Sequence, residues 1–254
     1  MGRKIIAIMQ PTYMPWMGYF SMIDRVDEFV FLDMVQLVGR SWQVRNKIKL
    51  NGTEKLLTIP VKKDKAREER VIRECPYLGE EWKRSHLDTI KTAYKKAPFF
   101  VQVFPFLSAL YEVRAESVGA FNSMLIQAVA QKIGIVTPFV SAFQVMGQAE
   151  EKKDSLLAAI CEKRGAACYL SAPGSAAYIE KDCPGGAFAK RGIELYYHHY
   201  IHPQYRQEGN AFLSHIGIYD LLFNEGFERA LPIIRSGNKS ETGRTCINCE
   251  STDF

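Results

Sequence analysis

Residues 4–33 read KIIAIMQPTYMPWMGYFSMIDRVDEFVFLD, and the pattern of this stretch decides the fold. The apolar run at 4–9 predicts a buried strand, and residues 20–30 place apolar side chains at helical spacing. The segment at 28–33 predicts a second buried strand directly after that helix. Strand, helix and strand in this order form a βαβ unit, whose two strands run parallel with a right-handed crossover.

The remainder of the chain alternates between strands and helices in the same way. Further strands are predicted at 55–61, 137–143, 167–172 and 192–201. Further helices are predicted at 82–97, 106–134 (one or two), 151–165 and 217–234, the last with a break at 224–226. This alternation predicts an α/β fold with a mostly parallel, doubly wound, Rossmann-like sheet and additional helices. We expect one α/β domain over 1–235, with the helices of about 80–134 as a candidate subdomain. The polar, aperiodic segment 236–254 is predicted to be a disordered tail.

The composition limits the classes of function. Apolar residues make up 47% of the 254 residues and the net charge is +5, which fits a globular protein with an anionic small-molecule ligand. The positive charges do not form the dense stripe of a nucleic-acid binder, so no direct nucleic-acid binding is expected. No apolar run reaches the roughly 20 residues of a membrane span, and the first run lacks the form of a signal peptide, so a cytoplasmic location is expected. Cys246 and Cys249 have metal-site spacing without a second pair, and we expect no metal there.

The turn at 10–19, QPTYMPWMGY, lies at the carboxyl end of the first predicted strand, where open parallel sheets bind their ligands. Its two prolines stiffen the loop, and Gly18 lets a ligand approach the backbone closely. Gln10 offers a hydrogen-bond donor and an acceptor, while Trp16 and Tyr19 offer flat faces for a nucleobase or a sugar ring. The turn therefore predicts a ligand pocket, and the alternative is a hydrophobic plug between sheet and helix.

A second dense group of polar and aromatic side chains follows the second predicted strand, at 33–49. This group consists of Asp33, Gln36, Arg40, Trp42, Arg45 and Asn46. Arginine pairs with phosphate through two parallel N–H donors, so the two arginines predict a site for a phosphate or diphosphate. The alternative is a solvated basic face.

Other candidate residues lie further along the chain. His86, on the predicted helix at 82–97, has the ordinary pKa of a general base near neutrality, although a lone helical histidine is more often structural. Further candidates for substrate binding are Tyr94, Lys96, His202, Tyr205 and Asn224. His199 is three residues before another histidine on a predicted strand, where the two side chains do not converge, so no metal site is predicted.

The segment 9–49, MQPTYMPWMGYFSMIDRVDEFVFLDMVQLVGRSWQVRNKIK, resembles the start of the WbqC-like family. HLDTIKTAYKKAPFF, YLSAPGSAAYI, HPQY and IYDLLFNEG resemble later blocks of the same family, and the similarity extends to about Arg235. The resemblance implies a link to bacterial O-antigen and other surface polysaccharides, and a glycine or acyl transferase role on an amino sugar. The opening turn also resembles, more weakly, the His-x-Gly-His signature of nucleotidyltransferases. Trp16 and Tyr19 occupy the two histidine places, and neither side chain carries the positive charge that adenylyl transfer uses.

The resemblance implies an acyl or aminoacyl (glycyl) transferase that acts on the amine of a nucleotide-linked amino sugar. We expect His86 or Asp33 to act as the base, and Tyr13, Gln10 or Asn46 to donate to the oxyanion. The donor is acyl coenzyme A, another activated acyl or aminoacyl carrier, or a free acid used with ATP and Mg²⁺. The alternatives are an ATP-dependent amide ligase or nucleotidyltransferase-like enzyme, and a non-catalytic nucleotide-sugar binding protein. In each case, we expect the aromatic turn and the arginine segment to form one anion-binding cleft.

Overall fold

The structure, a computed structural model, describes residues 2–62, 66, 69–209, 211–239 and, in backbone only, 244–246. The strands are β1 (Ile5–Met9), β2 (Glu28–Phe31), β3 (Arg45–Leu50), β4 (Thr53–Thr58), β5 (Phe139–Ser141), β6 (Cys168–Ser171), β7 (Glu194–His198) and β8 (Arg244–Cys246). The helices are α1 (Met17–Asp24), α2 (Glu81–Tyr94), α3 (Phe100–Glu112), α4 (Val118–Lys132), α5 (Ala142–Met146), α6 (Lys153–Lys163), α7 (Ala176–Ile179), α8 (Gly186–Ala189) and α9 (Tyr219–Ser236).

The central sheet has the order β5-β2-β1-β6-β7-β8, and its first five strands run parallel. The α/β, Rossmann-like fold predicted from the sequence is therefore confirmed. Chain order reverses direction between β1 and β6, so this gap is the topological switch point of the sheet. In open sheets of this kind, ligands bind outside the carboxyl ends of the strands near that point.

Helices cover both faces of the sheet. Successive side chains of β1 point to opposite faces, so neighbouring residues of this strand belong to different cores. Ala7 belongs to the larger core, which includes residues of α1, α2, α3, α4 and α9. Ile6 and Ile8 belong to the second core, which includes residues of α6 and α8. The helices predicted at about 80–134 thus share the larger core with the sheet. None of the helices in the described part of the chain combines the length and apolarity that a membrane crossing requires.

A two-stranded antiparallel hairpin, β3 and β4, stands apart from the central sheet. Its turn is Asn51–Gly52, where both residues have positive φ (51° and 78°), as a tight hairpin turn requires. Sequence analysis predicted β4 at 55–61 but assigned no strand to 45–50. The segment that carries the arginines is therefore partly a strand, with Ile48 on its buried face.

The last helix and the residues after it contact the central sheet and α1. The break in the last helix lies at Gly226, whose φ of 76° and ψ of 177° interrupt α9. Asn238 accepts a hydrogen bond from the Ser21 hydroxyl at 2.6 Å, and β8 pairs with β7. Ser236 and Arg244–Cys246, in the segment predicted to be a disordered tail, belong to α9 and β8. Residues 240–243 and 247–254, including Cys249, lie outside the described residues.

Candidate functional site

The opening turn is held from inside the protein. The Tyr13 hydroxyl lies 2.8 Å from His86 Nδ1 and also contacts the Tyr111 hydroxyl, and Tyr13 is completely buried. The Asn46 amide donates to the carbonyls of Tyr13 and Met14 at 2.9 and 2.7 Å. Because Tyr13 and Asn46 are enclosed by protein, we reassign them from oxyanion donors to residues that shape the turn.

His86 is also a structural residue in this arrangement. His86 is buried, and burial disfavours the imidazolium and lowers the pKa of His86 to about 4. A hydrogen bond with the Thr58 backbone acts in the opposite direction but is the smaller effect. The neutral ring forms a hydrogen bond with the Tyr13 hydroxyl through Nδ1. A substrate in a surface cavity does not reach this ring, so we do not retain His86 as the general base.

The aromatic residues of the turn form a plug. Tyr19 is buried and its hydroxyl donates to the Gln10 carbonyl at 3.0 Å. The Trp16 ring lies parallel to the His202 ring at 5.9 Å and contacts the His215 ring at 4.8 Å between centroids. A Cβ at Gly18 would lie 2.2 Å from the indole, so glycine is needed there to seat the tryptophan, not a ligand. The plug interpretation therefore replaces the predicted stacking role of the three residues Trp16, Gly18 and Tyr19.

Two buried amides attach the arginine segment to the end of β1. Gln43 donates to the Gln10 side-chain oxygen at 2.7 Å and accepts from the Val38 N–H at 2.8 Å. Asn122, on α4, donates to the carbonyls of Pro11 and Gln43 at 3.1 and 2.7 Å. Sequence analysis missed both, because a single polar residue gives no sign of burial. Gln10 itself is half-buried near the switch point.

The two predicted phosphate-binding arginines line the same cavity, here called the basic cavity. Its volume is about 1020 Å³, and its lining residues are Gly39, Arg40, Val44, Arg45, Thr58, Ile59, Pro60, Val61, Lys62, Arg70 and Leu78. Four of these residues are cationic and none is acidic. The described residues provide no hydrogen-bond partner for the buried Arg45 Nε. Such a donor is costly to leave unsatisfied, and it belongs to a residue that lines the cavity.

The single cleft expected from the sequence is corrected by this geometry. Trp16 and Tyr19 are not among the residues that line the basic cavity. Trp42 is half exposed, with the Lys47 ammonium 5.9 Å from its ring centroid, and Gln36 forms an isolated bridge with Val71. The arginines therefore share a cavity with one another, while the aromatic turn packs on the other side of β3.

Asp33 keeps an accessible position at the carboxyl edge of the sheet. Its carboxylate accepts from the Ser141 hydroxyl at 2.5 Å and from the Phe143 N–H at 3.1 Å. It also lines a cavity of about 380 Å³ together with Arg73 and Gln127. Because β1 and β2 pair in parallel, Gln10 and Asp33 follow neighbouring strand ends.

The remaining predicted residues gather around Asp220, the second residue of α9. A cavity of about 390 Å³, here called the Lys49–Asp220 cavity, has Tyr94 and Lys96 in its lining. Tyr205 donates to Asp220, and its ring stacks near His202 at 6.4 Å between centroids. Asn224 donates to the Asp220 carbonyl, within the helix. Lys49, which the sequence does not single out, is buried here.

Comparison with known proteins covers most of the chain. The model of the WbqC-like protein family matches residues 10–231. The "Uncharacterized protein Rv1507c" of Mycobacterium tuberculosis (strain ATCC 25618 / H37Rv) is 30% identical over 227 residues, which is 89% of this chain and 95% of that protein. No solved structure matches the chain.

Proposed function

Because the chain belongs to the WbqC-like protein family, we propose that it binds a nucleotide-linked amino sugar and transfers an acyl or aminoacyl (glycyl) group to the sugar amine. The reaction belongs to the biosynthesis of bacterial surface polysaccharide. The observation that carries this proposal is the basic cavity, whose described lining combines four cations with apolar walls.

The basic cavity suits the nucleotide diphosphate. Arg40 and Arg45 present planar donor sets that match phosphate oxygens, and Lys62 adds a third positive charge. The apolar side chains of Ile59 and Leu78 offer a surface for the base or the ribose. The volume of about 1020 Å³ lies near the upper end of the usual range for small-molecule sites, as an extended ligand requires.

Acyl transfer requires a base for the sugar ammonium and a donor for the tetrahedral oxyanion. The amine nitrogen attacks the carbonyl carbon of the donor, the bond to the leaving group breaks, and an amide remains. With His86 in the interior, we assign the base to Asp33 and the oxyanion donor to Gln10. The Arg73 N–H donates to the Asp33 carbonyl, and the Leu37 N–H donates to the Arg70 carbonyl. These backbone hydrogen bonds pair the segment that begins at Asp33 with the segment that contains Arg70, a lining residue of the basic cavity.

A non-catalytic nucleotide-sugar binding protein is the second candidate. The burial of His86 and Tyr13 favours it, because two of the side chains expected to do chemistry serve the core instead. The described lining of the basic cavity also contains no histidine or carboxylate.

Binding is tested by calorimetry of the full chain with a panel of nucleotide sugars and nucleotide amino sugars. Arg45→Ala should weaken binding at least roughly tenfold, the effect of losing one charge-assisted hydrogen bond. Arg229→Ala is the matched control, since Arg229 is an exposed arginine whose ion pair is with Glu225 in the same helix. Equal affinity of the Arg45 variant and the control would refute the phosphate site.

Catalysis is tested by mass spectrometry of the nucleotide amino sugar after incubation with protein and each donor class. The donors are acyl coenzyme A, an acylated or aminoacylated carrier, and a free amino acid with ATP and Mg²⁺. Asp33→Asn should abolish any added mass, whereas Ser141→Ala, which removes a partner of Asp33 but keeps the carboxylate, should retain it. Binding without added mass for any donor favours the non-catalytic candidate.

A further inference from the structure

The Lys49–Asp220 cavity holds two buried opposite charges that do not meet. We propose that it is a second binding site, for a small zwitterion whose ammonium group contacts Asp220 and whose anionic group contacts Lys49. The site stands on its own residues and does not depend on the basic cavity. It lies between the end of α2, the turn of the β3–β4 hairpin and the start of α9.

The Asp220 carboxylate is held in place by two tyrosine hydroxyls that donate hydrogen bonds to it. It is 1% exposed, and the hydroxyls of Tyr94 and Tyr205 donate to its two oxygens at 3.0 and 2.7 Å. Each phenol also accepts a hydrogen bond, Tyr94 from the Lys49 N–H at 3.2 Å and Tyr205 from the Gln207 amide at 3.0 Å. Both hydroxyl protons are therefore directed at the carboxylate. The Gln207 side chain is a further hydrogen-bond partner of this carboxylate, so about one of its four acceptor positions remains for a ligand.

Lys49 is the matching donor. It is 5% exposed, and its ammonium donates to the Gln207 side-chain oxygen and to the Ala211 carbonyl. These contacts with described residues use two of its three N–H donors. A Cβ built at Gly209, which lines the cavity, would lie 3.9 Å from Lys49 Nζ. The ammonium therefore lies beside the wall of the cavity.

The separation of the two charges decides the class of ligand. Among the described residues, neither Lys49 nor Asp220 takes part in an ion pair. Buried charges are costly unless they are paired, and burial already raises the pKa of Asp220 against the effect of its phenol partners and of Lys49. A purely anionic ligand would face the carboxylate, and a neutral one would leave both charges unpaired. A molecule with one ammonium and one anionic group satisfies both.

Two sources of this chemistry fit a cavity of about 390 Å³: a free α-amino acid and a phosphorylated amino sugar. Lys95 and Lys96 are exposed on the cavity lining, where they attract the anionic end of either molecule. Calorimetry of the full chain is therefore run with glycine and with glucosamine 1-phosphate. Each is compared with analogues that lack one charge: acetate and methylamine for the first, and glucose 1-phosphate for the second.

We expect one of the two zwitterions to bind, and its singly charged analogues to bind at least roughly tenfold more weakly. Lys96→Glu should weaken binding while Lys91→Glu, at an exposed position of α2 that does not line the cavity, should not. Asp220→Asn should abolish binding; if that variant fails to fold, the lysine pair and the analogues still decide. The proposal is overturned if neither zwitterion binds at millimolar concentration, if an analogue binds equally well, or if both lysine variants behave alike.

Discussion

Mild acid should destabilise the protein through two buried histidines. The pKa values of His86 and His198 are both lowered from 6.5 to about 4, mainly because burial disfavours the imidazolium. For His198 the positive charge of Arg25 acts in the same direction. His198 Nε2 lies 3.0 Å from the Ser21 hydroxyl, and both rings are almost fully buried. Neither ring can gain water in the folded state when it takes up a proton.

The direction of the effect follows from the two protonation states. The folded pKa is lower than the unfolded one, so the unfolded chain binds more protons at intermediate pH. The stabilisation is complete above the unfolded pKa of 6.5 and is lost as pH falls towards about 4. Integration between pH 7 and pH 5 gives a loss of about 2 kcal/mol for each histidine, or about 4 kcal/mol together. This is a large part of the free energy of unfolding of an ordinary domain.

Urea denaturation at pH 7, 6 and 5, followed by tryptophan fluorescence, measures this loss. His86→Phe is expected to be less stable at pH 7, since the Tyr13 hydroxyl loses a hydrogen-bond partner. Between pH 7 and pH 5, however, this variant should lose about 2 kcal/mol less than the native chain. Comparing variants cancels the opposite contribution of Asp220, whose pKa is raised. The reasoning fails if the His86 variant loses as much stability as the native chain.

Three further substitutions test the packing that positions the site. Gly226→Ala should lower the free energy of unfolding by about 3 kcal/mol. The φ of 76° at Gly226 is unfavourable for a residue with a side chain, and a Cβ would lie 2.7 Å from the Phe99 ring. An unchanged thermal midpoint would contradict the backbone conformation described for Gly226. Glu28→Gln removes an almost buried negative charge that forms ion pairs with two cationic side chains, and it should lower the free energy of unfolding by about 2 kcal/mol. Glu162→Gln, at an exposed ion pair, is the control and should change the free energy of unfolding by less than about 0.5 kcal/mol. Asn46→Ala removes two hydrogen bonds to the opening turn and should lower it by about 2 kcal/mol in urea denaturation; equal stability would mean that the turn holds its shape without them.

The sequence predicted the sheet well because its strands are short apolar runs bounded by turn residues. β1 and β2 were located within one or two residues, and the break at Gly226 was found from its local pattern. β3 was missed although residues 47–50, KIKL, alternate polar and apolar side chains, which is the pattern of a half-buried strand. The segment was interpreted only as a dense group of candidate ligand-binding residues. The pair Asn51–Gly52, which joins β3 to β4, is also a local hairpin signal.

The residues that line the cavities were predicted unevenly. Arg40 and Arg45, which line the basic cavity, were singled out because polar residues are dense in that short segment. Trp16 and Tyr19 were singled out by the same density, but Tyr19 is buried and the half-buried Trp16 ring packs against His202. Lys49 was missed, since nothing local distinguishes it from other lysines of the basic segment.

Local order along the chain therefore accounts for the α/β class, the parallel pairing of β1 and β2, and the position of the opening turn at a strand end. These features depend on periodicity and short connections, which neighbouring residues carry. The depth of each side chain depends on segments far away in the sequence. Tyr13 is sealed by Tyr111, and Lys49 is enclosed by Gln207 and Ala211. Which polar residues became core and which line a cavity was set by that long-range packing, because only it determines where water is excluded.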